Sequence, residues 1–147
     1  MYNPATNYLK ATRFEGLATS SLYADLAERY EADAIYEPGT VVVIGGEKEV
    51  TITDNYADTR VAGIVSTNPA YMMNSEAGND ETHPFIALKG RVPCKVWGPV
   101  IKGELLVTSN VPGHAQAWTA QCAAGSIIGK ALNTHIEGFG IIEVLVV

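Results

Sequence analysis

Basic residues are scarce in this chain, and none of them cluster: ten Lys and Arg stand against sixteen Asp and Glu, a formal charge of -6 over 147 residues. Nucleic-acid surfaces need gathered Lys and Arg to neutralise phosphate, so the deficit argues against a nucleic-acid partner. Cysteine is scarcer still. Cys94 and Cys122 stand far apart with no CxxC spacing and no His beside them, which excludes a zinc motif and a disulfide framework and leaves buried free thiols as the expectation. No apolar run approaches the roughly 18 residues of a membrane span, and the opening MYNP lacks the basic start and apolar stretch of a signal peptide. The expectation is a soluble protein made in a cytoplasm, with no membrane partner.

Motifs for turnover are missing as well. There is no GxSxG elbow, no GxxxxGK phosphate loop and no GxGxxG after a strand; Gly45, Gly46, Gly138 and Gly140 read as turn glycines. His83, His114 and His135 lie dozens of residues apart without HxH or HExxH spacing and read as surface histidines. Glu76, Asp80 and Glu81 crowd one segment, but without the DxDxDG order of a calcium loop they read as a solvated loop. Trp97, Trp118, Tyr71 and Tyr56 are candidates for a sugar-binding face, weighed against ordinary core or interface packing. The sequence therefore assigns no catalytic residue, no cofactor-binding residue and no metal ligand, and the chain is not expected to be an enzyme or to carry a cofactor.

What is present is material for a single folded domain: 47% of residues are hydrophobic and 18% charged. Residues 1–20 are polar and small, with Tyr2, Tyr8, Leu9, Phe14 and Leu17 at intervals that fit neither helix nor strand. They read as an extended N-terminal arm that becomes ordered against another subunit. Residues 21–147 read as the β-rich domain. Its first segment, 21–33, fits a short helix through Leu22, Leu26 and Tyr30 and equally an extended strand by alternation.

From Pro38-Gly39 onward short β-branched runs alternate with Gly, Pro, Asn and Asp, the rhythm of a small β-sandwich or β-barrel. Strands are predicted over 40–44 and 49–53 around Gly45-Gly46, then over 61–66 up to the break at Pro69. Residues 73–83 form a long exposed loop. Further strands follow at 85–88 and 92–97, joined by a turn at Lys89-Gly90-Arg91, then at 105–108, 114–118 and 126–132. The closing run 141–147 is nearly all apolar, so it is expected to be central or paired across subunits.

A series of phrases carries a resemblance: YADLAE (23–28), YEPGTVV (36–42), DTRVAGIVSTNPAY (58–71), LKGRVPCKV (88–96), KGELLVTS (102–109), IGKAL (128–132) and GIIEV (140–144). In order and spacing they resemble the C-terminal domain of phage tail-fibre and virion structural proteins of the cyanophage type, over 21–147. The rhythm is also similar to that of phage head decoration proteins. The resemblance implies a virion structural protein, a head decoration or cement protein or a small fibre or adaptor subunit. It would act by contact with copies of itself, as a homotrimer, and with capsid or tail subunits. A fibre-tip module that binds a receptor or glycan through 73–83 is the alternative. A more distant similarity to the autoprocessing domain of phage neck-appendage proteins implies self-cleavage, with Ser20, Ser21 and Asp25 as the matching residues.

Overall fold

The computed structural model describes residues 1–147 except 14, 17–19, 22, 23 and 120, so the part played by Phe14, Leu17, Leu22 and Tyr23 lies outside the described residues. The protein is all-β. Its strands are β1 Tyr2–Asn3, β2 Tyr8–Leu9, β3 Asp25–Arg29, β4 Val41–Ile44, β5 Val50–Thr51, β6 Val61–Val65, β7 Tyr71–Met73, β8 Phe85–Trp97, β9 Leu105–Thr108, β10 Ala115–Ala117, β11 Ile127–Ala131 and β12 Phe139–Val146.

Five of them close a barrel in the order β8, β12, β11, β9 and β10. Every step round it is antiparallel except the last, where β10 meets β8 in parallel through Ala115 and Val96. Alternation in β8 and β12 turns Val92, Cys94, Val96, Ile142, Val144 and Val146 inward, where they meet Leu106, Ala115 and Ile128. Burial pushes the Cys94 thiol up to about 12, which leaves it inert. Cys122 is only half-buried. A thiol reagent is therefore expected to label Cys122 in the native protein and Cys94 only after unfolding, as mass spectrometry of the labelled peptides will show.

The remaining strands pack outside the barrel. β6 lies along the first half of β8, followed by β4 and β5, and encloses a second core of Val42, Val50, Val65 and Ile86. β3 also pairs with that half of β8, and β7 runs parallel to β3. Segment 21–33 thus contributes a strand, not a helix. At the start of the arm, β1 and β2 fold back on each other as a wholly exposed hairpin, with Lys10 paired to Glu76 at 3.1 Å.

The predicted turn at Lys89-Gly90-Arg91 is absent: β8 runs unbroken for 13 residues. Gly90 has φ of +102°, and a Cβ there would lie 2.2 Å from the Ala24 carbonyl oxygen. The glycine serves a close strand approach and a local bend, not a reversal. β6 stops at Val65, four residues before Pro69, and the chain resumes two residues past the proline as β7, which the sequence does not indicate.

The loop between β5 and β6 is tied to the barrel by Asp58. Its buried carboxylate accepts hydrogen bonds from Thr53 Oγ1 at 2.8 Å, Arg60 N at 3.0 Å, Arg60 Nε at 3.0 Å and Arg60 Nη2 at 2.7 Å. The Asp58 N–H donates to Thr108 Oγ1 on β9 at 2.7 Å.

Candidate functional site

Arg29, at the end of β3, lies over the Phe85 ring at 3.9 Å from its centroid. Its Nε donates to the Ser75 carbonyl at 3.1 Å, and Nη1 donates to Asp80 Oδ1 at 2.9 Å and to the His83 carbonyl at 2.5 Å. One guanidinium thus fastens the 73–83 loop to the sheet, because its fixed fork of donors meets several acceptors together. Beside it lies a cavity of about 340 Å³ lined by Arg29, Asp80, Tyr8, Tyr36, Asn68 and Phe85. That size and mix of rings and polar groups suits a small ligand. The Tyr36 hydroxyl donates to Asp33 and holds that carboxyl below its usual range.

Asp25, one of the residues named for self-cleavage, is buried and accepts a hydrogen bond from Ser66 Oγ at 2.5 Å. Burial pushes its carboxyl up from the ordinary value. Ser20 and Ser21 are exposed, and the hydroxyl that donates to Asp25 belongs to a serine 41 residues further on. Sequence reasoning missed Ser66, since only the fold brings the end of β6 to the start of β3. The pair borders a shallow cavity of about 350 Å³ with Arg91, Pro93 and Glu143.

The four aromatic candidates stand on different segments: Tyr56 between β5 and β6, Tyr71 on β7, Trp97 at the end of β8 and Trp118 just past β10. Trp97 packs on Phe139 at 4.6 Å between ring centroids, and the His114 ring meets Phe139 at 5.2 Å. Trp118 follows β10 beside Thr119, whose backbone N–H donates to Tyr56 Oη at 2.8 Å, while Tyr71 stands exposed on β7. His135 contacts the Gly138 carbonyl at 3.1 Å and His83 contacts Thr82 Oγ1 at 3.0 Å. Glu76 pairs with Lys10 and Asp80 with Arg29, leaving Glu81 exposed. Among the described residues no group of three or more His, Cys, Asp or Glu converges on one point.

The most unusual surface is the outer face of β12. β8 pairs with this strand along its whole length, and β11 pairs with its last three residues, Val144 to Val146. Its inward residues fill the barrel, yet the outward ones are also apolar: Phe139 is 65% exposed, Ile141 65%, Leu145 40% and, just past the strand, Val147 57%. A paired strand with one open face ordinarily turns polar side chains to water. Here Glu143 alone breaks the outward apolar series, and Trp97 on β8 extends it.

The chain matches no known protein-family model, and no curated protein is similar enough in sequence to count as a relative.

Proposed function

We propose that this chain is a structural subunit of a bacteriophage particle, a decoration or cement protein or a small fibre or adaptor subunit, working through contacts with its neighbours and not through turnover. The open apolar face of β12 carries the reading. Isolated exposed apolar residues are common on monomers, whereas a contiguous series along one strand marks a surface made to be covered. The series of phrases resembling phage fibre and decoration proteins supports the same reading. The barrel supplies a rigid body, and the exposed hairpin of the arm offers a second point of attachment.

Mass spectrometry of purified particles tests it. Peptides from 25–147 are expected at a fixed ratio to the major capsid or tail protein, and their absence overturns the reading. Deleting residues 1–20 is expected to leave the thermal unfolding of the barrel nearly unchanged, because among the described residues the hairpin is tied to the rest by one exposed ion pair and by Tyr8 at the cavity beside Arg29. The same deletion lowers incorporation into particles; undiminished incorporation removes the arm from the account.

A second reading, a receptor- or glycan-binding module, is favoured by the cavity beside Arg29. Its wall includes Asp80 of the 73–83 loop and the rings of Tyr8 and Tyr36, an arrangement suited to stacking and hydrogen bonding of a sugar ring. Glycan-array binding that disappears in Tyr36→Ala or Asp80→Ala supports it, and an array blank for the native protein removes it.

A further inference from the structure

The charges of this acidic chain are unevenly engaged. Of its ten basic residues, six are ion-paired: Lys10, Arg13, Arg29, Lys48, Arg60 and Lys95. Among the described residues Lys89, Arg91, Lys102 and Lys130 form no ion pair, with Glu143 sharing a shallow hollow with Arg91. Two of these four flank the apolar face of β12. Lys130 is the cross-strand neighbour of Leu145 on one side and Arg91 on the other, so a single row across β11, β12 and β8 reads cation, leucine, cation. Lys89 lies two residues further along β8.

The opposite imbalance stands at the other end of the sheet. β5 is its terminal strand, three steps from β8 by way of β6 and β4. Around the β4–β5 hairpin lie Glu31, Asp33, Glu47, Glu49 and Asp54, and there Lys48 is bound to Glu31 at 2.8 Å. Exposed Ile44 ends β4 at this hairpin, while Ile35 and Ile52 line a shallow hollow with Glu37 and Lys95. One molecule therefore carries an apolar surface flanked by two unpaired cations and, around the β4–β5 hairpin, a group of carboxylates of which Glu47 and Asp54 have no ion-pair or hydrogen-bond partner among the described residues.

We propose that copies of this chain join head to tail, the outer face of β11, β12 and β8 in one copy receiving the acidic β4–β5 end of the next. The contact deepens the structural-subunit reading and rests on it for its biological role. Because two different surfaces meet, the interface is heterologous, and repeating it closes a ring or extends a filament. Isoleucine and leucine side chains supply the buried area, while the opposed charges set register and reject a face-to-face pairing of two cationic surfaces.

Sedimentation velocity of the full chain over a concentration series tests the contact, with circular dichroism confirming that each variant is folded. The native protein is expected to sediment as a species larger than the 15.7 kDa chain and to dissociate as salt is raised. R91E/K130E and, separately, E47K/D54K are each expected to weaken association by at least about tenfold, since like charges then meet across the joint. The four substitutions combined in one chain restore it, as does an equal mixture of the two double variants. A native protein that stays monomeric at about 100 μM, a concentration far above the Kd of a specific joint, overturns the proposal. So does association untouched by either reversal, or a folded fourfold variant that fails to recover. A chain found in particles yet monomeric in solution removes this contact alone. One that associates but is absent from particles removes the functional reading and leaves the contact standing.

Discussion

Gly90→Val abolishes cooperative unfolding, leaving a chain without a native baseline in urea titrations followed by tryptophan fluorescence. A Cβ at this position would sit 2.2 Å from the Ala24 carbonyl oxygen and 3.0 Å from Asp25 Cα, both backbone atoms of β3 and its approach. Neither can retreat without parting β3 from β8, where the Arg91 N–H donates to Ala24 O at 3.2 Å. The positive φ adds strain that a β-branched residue cannot relieve. The sum exceeds about 4 kcal/mol, a large part of the roughly 5–15 kcal/mol that holds an ordinary domain. Gly98→Ala is the control: φ is +78°, but nothing lies within 4 Å of the added Cβ. It retains only the backbone strain, about 1–2 kcal/mol. Equal damage from both substitutions would show that the close approach of β3 does not govern position 90.

Asp58→Ala lowers the unfolding free energy by about 3 kcal/mol at neutral pH. The side chain is buried, and its loss strands Thr53 Oγ1 and Arg60 N as well as releasing the guanidinium. Arg60 itself is half exposed, so its share of the ion pair is screened and the figure rests on the desolvated hydrogen bonds. The Arg60 guanidinium holds the Asp58 carboxyl well below the usual carboxylate range. Its contribution is therefore complete above the unfolded value of 3.8 and drains away as pH falls from there toward the depressed native value. Asp25 acts in the opposite sense. Burial raises its carboxyl above 3.8, so the folded state holds that proton more tightly, and the stability it gives at low pH is lost as pH rises through the raised value. Thermal melts from pH 2 to 7 are expected to show the acid loss shrink in Asp58→Ala and the opposite slope vanish in Asp25→Asn. An acid limb identical in native protein and Asp58→Ala would contradict the assignment.

The strand-rich half of the chain is legible where local rules decide the outcome. Val41–Ile44 and Val50–Thr51 flank Gly45 and Gly46, both at positive φ, as the glycine pair implies. The alternation of Val92, Cys94 and Val96 marks the barrel lining directly. What local rules cannot reach is partnership. Lys89-Gly90-Arg91 has the composition of a turn, and only the arrival of Ala24 shows why glycine is needed there. β7 exists because Leu26 to Glu28 offer it a parallel edge, a pairing no neighbouring residue announces. The single parallel bridge from Ala115 to Val96 that closes the barrel is equally silent.

The candidate site follows the same division. Cys94 and the solvated Glu81 sit where the sequence places them, whereas His83, His114 and His135, read as surface residues, are all half-buried. Ser66 beside Asp25 and the engagement of Asp80 by Arg29 depend on contacts between segments more than 40 residues apart. The closing run, Ile141 to Val147, reads as central or paired across subunits, and in the fold its strand lies between β11 and β8. Its apolar composition alone does not say that one face stays open, since a strand buried on both sides reads the same.

Incorporation of an Ile141→Asp, Leu145→Asp double variant into particles, counted by quantitative mass spectrometry beside the native chain, tests most directly what the outer face of β12 is for. Both side chains point away from the barrel, so the variant keeps the native melting profile while its copy number falls by about tenfold or more. A folded variant that enters particles as readily as the native chain would contradict the account.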